Sequence, residues 1–404
     1  MTSRERILAA LDFRESDRVP IDFSGHGSSG IAAMAYARLR RHLGLPEVAI
    51  RIYDVVQQLA VVDDDVLDLF GADAVQLGNG FALSERDWKP WLLPDGTPCT
   101  IPVWCHLERE AKRWVIRGQK GRVLGQMPDG AIYFEQSYYP FAGGEEDLDR
   151  LDRAFAESMG CAVPGPPGPV DDLTLRRGAR ELRSNTDRAI LGLFGGNLLE
   201  TGHVLYRNDN FLLKLAAEPV QVHAFLDRLV ERHLGELQRY LDLVGDAIDI
   251  IVFGDDLGMQ TGPQISPEMY REFFKPRHAL LWRRAKELAP VKVMLHCCGG
   301  VRELLPDLID AGLDAINPVQ ISCAGMEAAG LKADFGAEIT FWGGGCDTRS
   351  VLPDASPEQV AAHVRDLVKI WKPGGGYVFQ QVHNILANVP PENVAAMFEA
   401  ARAA

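Results

Sequence analysis

Short apolar runs alternate with helical patterns along most of the chain. The runs at residues 248–253 and 291–296 are almost continuously apolar, as expected of strands that are covered on both faces. Helical segments between the runs open with Ser266-Pro267 and Ser356-Pro357, a helix N-cap followed by proline. The pattern predicts eight strands at residues 18–23, 74–77, 189–194, 248–253, 291–296, 315–318, 339–342 and 377–380.

Eight strands alternating with helices predict an α/β protein with a (β/α)8 TIM-type barrel. A doubly wound sheet is the alternative, but no G-x-G-x-x-G sequence follows the first strand. Residues from about 88 to 165 differ, because alternating runs at 103–104, 114–116 and 132–134 are separated by turn residues. We therefore expect one barrel domain over residues 1–404 that carries an inserted β-meander at about 88–165.

Composition and charge exclude several classes of protein. Apolar residues make up 47% of the 404 residues and charged residues 24%, which is ordinary for a soluble globular protein. The net charge of −14 argues against binding to nucleic acid or to an anionic membrane. The sequence has neither an apolar stretch of membrane-spanning length nor a signal peptide, so we expect a cytoplasmic protein. Seven cysteines without a dense framework favour metal binding or catalysis over disulfides.

A histidine and two cysteines lie where a buried strand is predicted to end. Successive strand residues point to opposite faces, so His296 and Cys298 share one face and Cys297 points away. Cys346 follows a later strand and the glycine run 343–345, which lets the backbone turn tightly. One imidazole and two thiolates suit Zn²⁺, and three protein ligands leave the open position of a catalytic site. We predict a zinc held by His296, Cys298 and Cys346, although a buried cysteine can also pack as a small apolar residue.

Other polar side chains follow other predicted strands. Asp255 and Asp256 are candidates for binding substrate, acting as a general base or orienting a ligand, or else they cap the next loop. His383 follows the last strand and could contact the substrate, act as an acid or base of the reaction, or be a structural histidine. Weaker candidates are His26, Glu200 and Tyr206.

At these positions the sequence resembles the uroporphyrinogen decarboxylase superfamily. The likeness runs through Arg18-Val19-Pro20, the segment 253–258, the sequence 296–299 and His383-Asn384-Ile385. The resemblance implies a (β/α)8 barrel with its site at the C-terminal face of the strands. The decarboxylases themselves carry Arg-Gln-Ala-Gly-Arg after the first strand and a catalytic Asp after the next. Here residues 24–28 read Ser-Gly-His-Gly-Ser and the second position is Gly78 or Asn79, so porphyrinogen decarboxylation is not expected.

The corrinoid-dependent methyltransferase branch of that superfamily is the more similar one. Its pattern of His-x-Cys with a distant Cys, all three binding zinc, is similar to His296, Cys298 and Cys346. The resemblance implies an enzyme that moves a methyl group between a small methoxylated substrate and the cobalt of a corrinoid (cobalamin) protein. Zinc would act there as a Lewis acid on the leaving oxygen. The chain has no Asp-x-His-x-x-Gly corrinoid-binding motif, so the corrinoid is expected on a separate partner protein.

Several alternatives stay open at this point. The chain could instead be a methylcorrinoid:thiol methyltransferase of the coenzyme M type, a metal-free decarboxylase or lyase, or a non-catalytic ligand-binding barrel. The substrate, the direction of transfer, the native metal and the oligomeric state, with a homodimer as one option, are not determined. Under the leading hypothesis the expected catalytic residues are Asp255, Asp256 and His383, and the expected substrate-binding residues are His26, Asn79 and Tyr206.

Overall fold

Strands and helices alternate along the part of the chain that the structure describes. The computed structural model describes residues 1–78, 84–118, 121–143, 150–164 and 168–404. Its strands are β1 Ile50–Asp54, β2 Leu59–Ala60, β3 Ala74–Gln76, β4 Trp88–Leu92, β5 Pro98–Pro102, β6 Leu107–Glu110, β7 Arg113–Arg117, β8 Val123–Pro128, β9 Glu135–Gln136, β10 Ala189–Gly195, β11 Ile250–Gly254, β12 Gly258–Met259, β13 Gly262–Pro263, β14 Lys292–His296, β15 Ala315–Asn317, β16 Thr340–Trp342 and β17 Tyr377–Val378.

The described part of the chain contains sixteen α-helices. They are α1 Ser3–Leu11, α2 Ala33–His42, α3 Asp64–Phe70, α4 Leu151–Ala156, α5 Met159–Ala162, α6 Asp172–Asn185, α7 Leu199–Tyr206, α8 Asn208–Ala217, α9 Pro219–Val244, α10 Pro267–Met269, α11 Lys275–Leu288, α12 Leu305–Asp310, α13 Ala328–Phe335, α14 Val351–Asp354, α15 Pro357–Trp371 and α16 Pro391–Ala403. A π-helical turn, Tyr270–Phe274, joins α10 to α11. In the described part of the chain, no helix has the length and apolar character needed to cross a bilayer.

Seven parallel strands form one curled sheet, in the order β17-β16-β15-β14-β11-β10-β3. Each of these strands lies within or at the edge of a predicted apolar run, and most are shorter than the run by a few residues. Helices connect the strands and surround the sheet, as parallel pairing requires. The predicted TIM-type α/β fold is confirmed.

The segment 18–23, predicted as the first strand, closes the barrel through a single bridge. Ile21 pairs in parallel with Phe379, just after β17. On its other side the carbonyl of Ile21 accepts a hydrogen bond of 2.7 Å from the amide of Asp73, just before β3. The amide of Ile21 donates to the carboxylate of Asp73 at 2.9 Å, so a side chain takes the place of a strand partner. The segment therefore lies between the two edge strands without forming a regular strand.

Apolar side chains fill the barrel and set which strand positions face inward. Helix α1 closes one end of this core and starts with a capping box, in which Thr2 and Glu5 bond each other's backbone amides. The inward-facing strand residues include Ala74, Leu191, Ile250, Val252, Met294, Ala315, Trp342 and Val378. Since every second residue of a strand faces the same way, the positions two residues beyond Met294 and Ala315 also face inward, toward the C-terminal mouth.

The residues of the predicted insertion form antiparallel strands beside the barrel. Strands β6 to β9 make one antiparallel sheet, and β4 and β5 join β1 and β2 in a mixed sheet, in which β5 pairs with β1 in parallel. Of the three predicted runs, 114–116 lies within β7, whereas 103–104 and 132–134 lie outside strands. The segment 132–134 is irregular because it packs onto the loop after β1, where the amide of Phe134 donates to the carbonyl of Val56 at 2.9 Å. This contact brings the insertion to the mouth of the barrel.

Candidate active site

His296 and Cys298 come together at the C-terminal end of β14. His296 is the last residue of the strand and faces inward like Met294. Its Nε2 lies 3.5 Å from Sγ of Cys298. Cys297 is buried on the other side, where its sulfur accepts from the amide of Leu257 at 3.3 Å. The alternation of the strand thus presents one imidazole and one thiol to the same space.

Asn317, the last residue of β15, fixes the orientation of the His296 ring. Its Oδ1 lies 2.8 Å from Nδ1 of His296. Its Nδ2 donates to the carbonyl of Trp342 at 3.0 Å and to Oε1 of Gln380 at 2.8 Å, so the amide nitrogen is fully used and the oxygen faces the imidazole. Nδ1 of His296 therefore carries the proton, and the lone pair of Nε2 faces Cys298. This is the arrangement of a metal-ligating histidine with its supporting partner.

His383 supplies a third donor beside this pair. One donor atom each from His296, Cys298 and His383 lies within 4.8 Å of the other two. Burial, and next the neighbouring His296, lower the pKa of His383, while Asn384 contacts its Nδ1 at 2.6 Å. A histidine that stays neutral is the form that binds a metal. Sequence reasoning assigned His383 to acid or base chemistry, whereas the geometry places it among potential ligands.

Cys346, predicted as the third ligand, lies outside this group of three. Its side chain is fully buried after β16, with Sγ 3.9 Å from the carbonyl oxygen of Asp347. Its own carbonyl accepts from the amide of Val382 at 2.9 Å, which ties it to the loop that carries His383. The turn before it requires glycine, since a Cβ on Gly343 would lie 2.0 Å from the carbonyl oxygen of Pro318 and its φ is +129°.

The two thiols need a cation nearby to ionise. Burial is the largest cause that raises the pKa of Cys298 well above its usual value, and the charge of Asp256 adds to it. Burial likewise raises the pKa of Cys346. Thiolate is the form of cysteine that binds a metal, and a bound divalent cation would offset both effects. The donor set and its electrostatic surroundings therefore fit Zn²⁺.

Asp255 and Asp256, adjacent in sequence, have different surroundings. The buried carboxylate of Asp255 accepts from the amides of Leu199 and Glu200 at 3.0 and 2.9 Å and lies 3.2 Å from Nε2 of His278. Asp255 is thus engaged at the start of α7 and within the core, and its catalytic role stays a prediction. Asp256 instead accepts from the amide of Cys298 at 2.7 Å and lies 3.9 Å from Nε2 of His296.

Glu200 adds a carboxyl group near Asp256. Its Oε2 accepts from Nδ2 of Asn197 at 2.5 Å. Burial is the largest cause, ahead of the charges of Asp256 and Asp255, that raises the pKa of Glu200 to about 8. At neutral pH this carboxyl holds a proton that it can give to a base. The sequence ranked Glu200 low, because the packing that surrounds it with other acids comes from distant strand ends.

The predicted substrate-binding residues have different positions. The His26 ring lies 4.9 Å from the His296 ring between centroids, and burial lowers the pKa of His26 well below its usual value. Asn79 lies outside the described residues. Tyr206 is 2% exposed and packs among aromatic rings of the core, including Phe141 and Phe211. Its ring thus belongs to the hydrophobic core around α7 and α8, and its role in binding substrate stays a prediction.

A cavity of about 400 Å³ opens beside the candidate metal ligands, and the side chains of Cys298 and His383 form part of its wall. Its other lining residues come from the loop after β1, the insertion and the loops after β15, β16 and β17. They are Val56, Gln57, Tyr133, Phe134, Gln320, Thr348, Asn384 and Leu386. Concave sites with few polar groups beside perturbed residues are where small molecules bind.

Comparison with known proteins agrees with the fold and defines the family. The sequence profile of the family "Uroporphyrinogen decarboxylase (URO-D)" matches residues 199–404, and this chain belongs to that family. A uroporphyrinogen decarboxylase from Psychromonas ingrahamii is 26% identical over 179 residues, which span 44% of this chain and 46% of that protein. The chain therefore matches less than half the length of this curated relative.

A solved structure of a methyltransferase from Methanosarcina mazei is similar over nearly its whole length. The match has a TM-score of 0.60 and 18% sequence identity, and it covers 99% of this chain and 98% of the other. At that identity the likeness is one of fold. Both chains thus share the same overall fold.

Proposed function

We propose that this protein is a zinc-dependent methyltransferase that moves a methyl group between a small methoxylated substrate and the cobalt of a corrinoid carried by a partner protein. The observation that carries the proposal is the group of donor atoms of His296, Cys298 and His383, which lie within 4.8 Å of one another beside a cavity. Family membership and the methyltransferase fold support it. The absence of arginine in residues 24–28 weighs against porphyrinogen decarboxylation.

His296 and Cys298 would hold the zinc, with His383 or Cys346 as the third protein ligand. Zinc bound there supplies Lewis acidity that stabilises negative charge on a substrate oxygen or sulfur. Asn317 holds the His296 ring, and Asp256 holds the backbone of Cys298 through its amide. These two contacts keep the donor atoms oriented before substrate binds.

An ether oxygen that loses its methyl group must gain a proton to become an alcohol or phenol. The Glu200 carboxyl, with a pKa of about 8, holds a proton at neutral pH next to Asp256. We assign it the role of proton reservoir for that oxygen. In the opposite reaction, methyl transfer to a thiol, only the ionised form of this carboxyl could take up the proton that the thiol loses.

The test is methyl transfer to a free cobalamin in its Co(I) state. Zinc-loaded protein is mixed with cob(I)alamin and a panel of methoxylated compounds, and the absorbance of Co(I) and the demethylated product are followed. We expect loss of Co(I) with the wild type and with Cys161→Ala, which changes an exposed cysteine, and no reaction with Cys298→Ala. Zinc-loaded wild type that methylates cobalamin from none of the compounds, yet methylates a thiol from methylcobalamin, would contradict the proposed direction and favour the thiol reaction.

A further inference from the structure

The cavity beside Cys298 and His383 has the size of a small ligand. Its volume of about 400 Å³ is near the lower end of the range of roughly 300–1,000 Å³ that is usual for small-molecule sites. Four of the residues that line it present apolar or aromatic surface, namely Val56, Phe134, Leu386 and the ring of Tyr133. A flat, single-ring molecule fits these walls better than a large macrocycle does.

The described residues that line the cavity carry no charged partner for a ligand. Apart from the candidate ligands Cys298 and His383, the lining side chains are aliphatic, aromatic, amide or hydroxyl groups. The segments outside the described part contain Lys120 as their single basic residue. The charged groups that hydrogen-bond to the described lining residues are acidic, since Gln57 donates to Asp54 at 3.1 Å and Asp256 accepts from the Cys298 amide. Arg349, which follows Thr348 in the sequence, donates to Gln260 at 2.6 Å. With the ether oxygen at the zinc, a carboxylate or sulfonate elsewhere on the ring would face the remaining walls and would be desolvated there without a cation.

The polar groups of the cavity can exchange their partners for a ligand. Nδ2 of Asn384 lies 3.4 Å from Oε1 of Gln57 and 3.4 Å from the hydroxyl of Tyr133. Both distances are longer than ordinary hydrogen bonds between nitrogen and oxygen. An uncharged hydroxyl on the ligand would bind these groups more closely than they bind one another.

We propose that this cavity binds an uncharged, single-ring aromatic methyl ether that carries a hydroxyl group, and that it discriminates against carboxylated and sulfonated compounds. The proposal rests on the proposed function, in which the ether methyl group of the substrate must reach the candidate metal ligands Cys298 and His383. The rings of Tyr133 and Phe134 face the aromatic ring, and Gln57 and Asn384 bind the hydroxyl. Substrate selection thus depends on the insertion as much as on the barrel.

The first experiment compares two ligands that differ by one carboxylate. Binding of 2-methoxyphenol and of 4-hydroxy-3-methoxybenzoate to the zinc-loaded full chain is measured by calorimetry near neutral pH, without corrinoid. We expect the uncharged compound to bind at least about tenfold more tightly. Equal or tighter binding of the carboxylated compound, or of a trimethylammonium compound, overturns the proposal. Tyr133→Ala should weaken 2-methoxyphenol binding several-fold while Tyr133→Phe retains most of it.

The second experiment reverses the selectivity. Gln57→Lys places a cation in the wall and should tighten binding of the carboxylated compound by about tenfold. Gln221→Lys, the same change at an exposed position of α9, should leave both affinities within about twofold. Thr348→Lys serves the same purpose from another loop if circular dichroism shows that Gln57→Lys does not fold. Unchanged affinity for the carboxylated compound in a folded cavity variant overturns the proposal.

These binding measurements separate this inference from the proposed function. Selective binding of 2-methoxyphenol without any methyl transfer to cob(I)alamin would support the ligand class and contradict the methyltransferase proposal. Methyl transfer from the carboxylated compound in preference to the uncharged one would support the methyltransferase proposal and contradict the ligand class.

Discussion

At the scale of single residues, the side chain of Asn317 decides which nitrogen of His296 faces Cys298. A spacing of two residues in a strand is visible in the sequence, so His296 and Cys298 could be predicted to share a face. The role of Asn317 could not, because it depends on the contacts of its amide with Trp342 and Gln380 on neighbouring strands. A polar residue that ends an apolar run was the available signal.

Replacing Asn317 should weaken metal binding without removing a ligand. Asn317→Ala frees Nδ1 of His296, so the ring can turn or change tautomer, and we expect zinc affinity to fall by roughly 10–100-fold. A competition titration with a chelating dye measures the affinity. Asn208→Ala, at an exposed position of α8, is the matched control and should bind zinc like the wild type. An unchanged affinity in folded Asn317→Ala would contradict the role given to this amide.

Glu200 makes the stability of the metal-free protein depend on pH. Its pKa of about 8 lies above the ordinary value of about 4.3 expected in the unfolded chain, so the folded state binds more protons between these values. The stability that this carboxyl contributes is fully present below about pH 4 and is lost as the pH rises through about 8. Glu200→Gln should therefore gain stability relative to the wild type by up to about 1.4 kcal/mol per pH unit in that window.

Urea unfolding of chelator-treated protein at several pH values checks this dependence. The Glu399→Gln variant, at an exposed position of α16, should show the pH profile of the wild type. A constant difference in free energy of unfolding between Glu200→Gln and the wild type would mean that Glu200 is ionised throughout the window.

At the scale of elements, local patterns predicted the regular parts, and long-range contacts decided the rest. The apolar run 291–296 and the Ser356 cap produce β14 and α15 near the predicted positions, because both depend on neighbours in sequence. The segments 18–23 and 132–134 differ from the predicted strands. The carboxylate of Asp73 accepts a hydrogen bond from the amide of Ile21, and the carbonyl of Val56 accepts one from the amide of Phe134. Both acceptors come from distant parts of the chain.

Asp73 holds the barrel closed and should be one of the most sensitive positions of the fold. Its fully buried carboxylate accepts from Arg18 at 2.6 and 2.9 Å, from Arg6 at 3.1 Å and from the amide of Ile21. Asp73→Ala leaves the amide of Ile21 without an acceptor and removes the buried carboxylate that faces Arg18 and Arg6, which keep their bonds to Val19, Gly71 and Asp17. We expect a loss of about 3–5 kcal/mol in the free energy of unfolding. Asp209→Ala, which removes an exposed partner of Arg207, should lose less than about 1 kcal/mol. Similar losses of free energy of unfolding in the two variants would show that Asp73 does not stabilise the closed barrel.

At the scale of the whole molecule, the site lies where the barrel mouth meets the insertion. Cys298, His383 and Cys346 each follow a different parallel strand, so the sequence could predict one shared edge. It could not predict which of His383 and Cys346 approaches His296 and Cys298, since loop conformation decides that distance. Nor could it show that Tyr133 and Phe134 reach the same cavity from the insertion.

The proposed function depends most directly on whether the protein binds zinc. Elemental analysis of untagged protein purified with added zinc should give about one zinc per chain in the wild type and in Cys161→Ala, and almost none in Cys298→Ala. Comparison of His383→Ala with Cys346→Ala then identifies the third ligand by which of them loses the metal. Wild type that holds no metal after zinc addition, or folded Cys298→Ala that keeps a full equivalent, would contradict the zinc site and with it the proposed function.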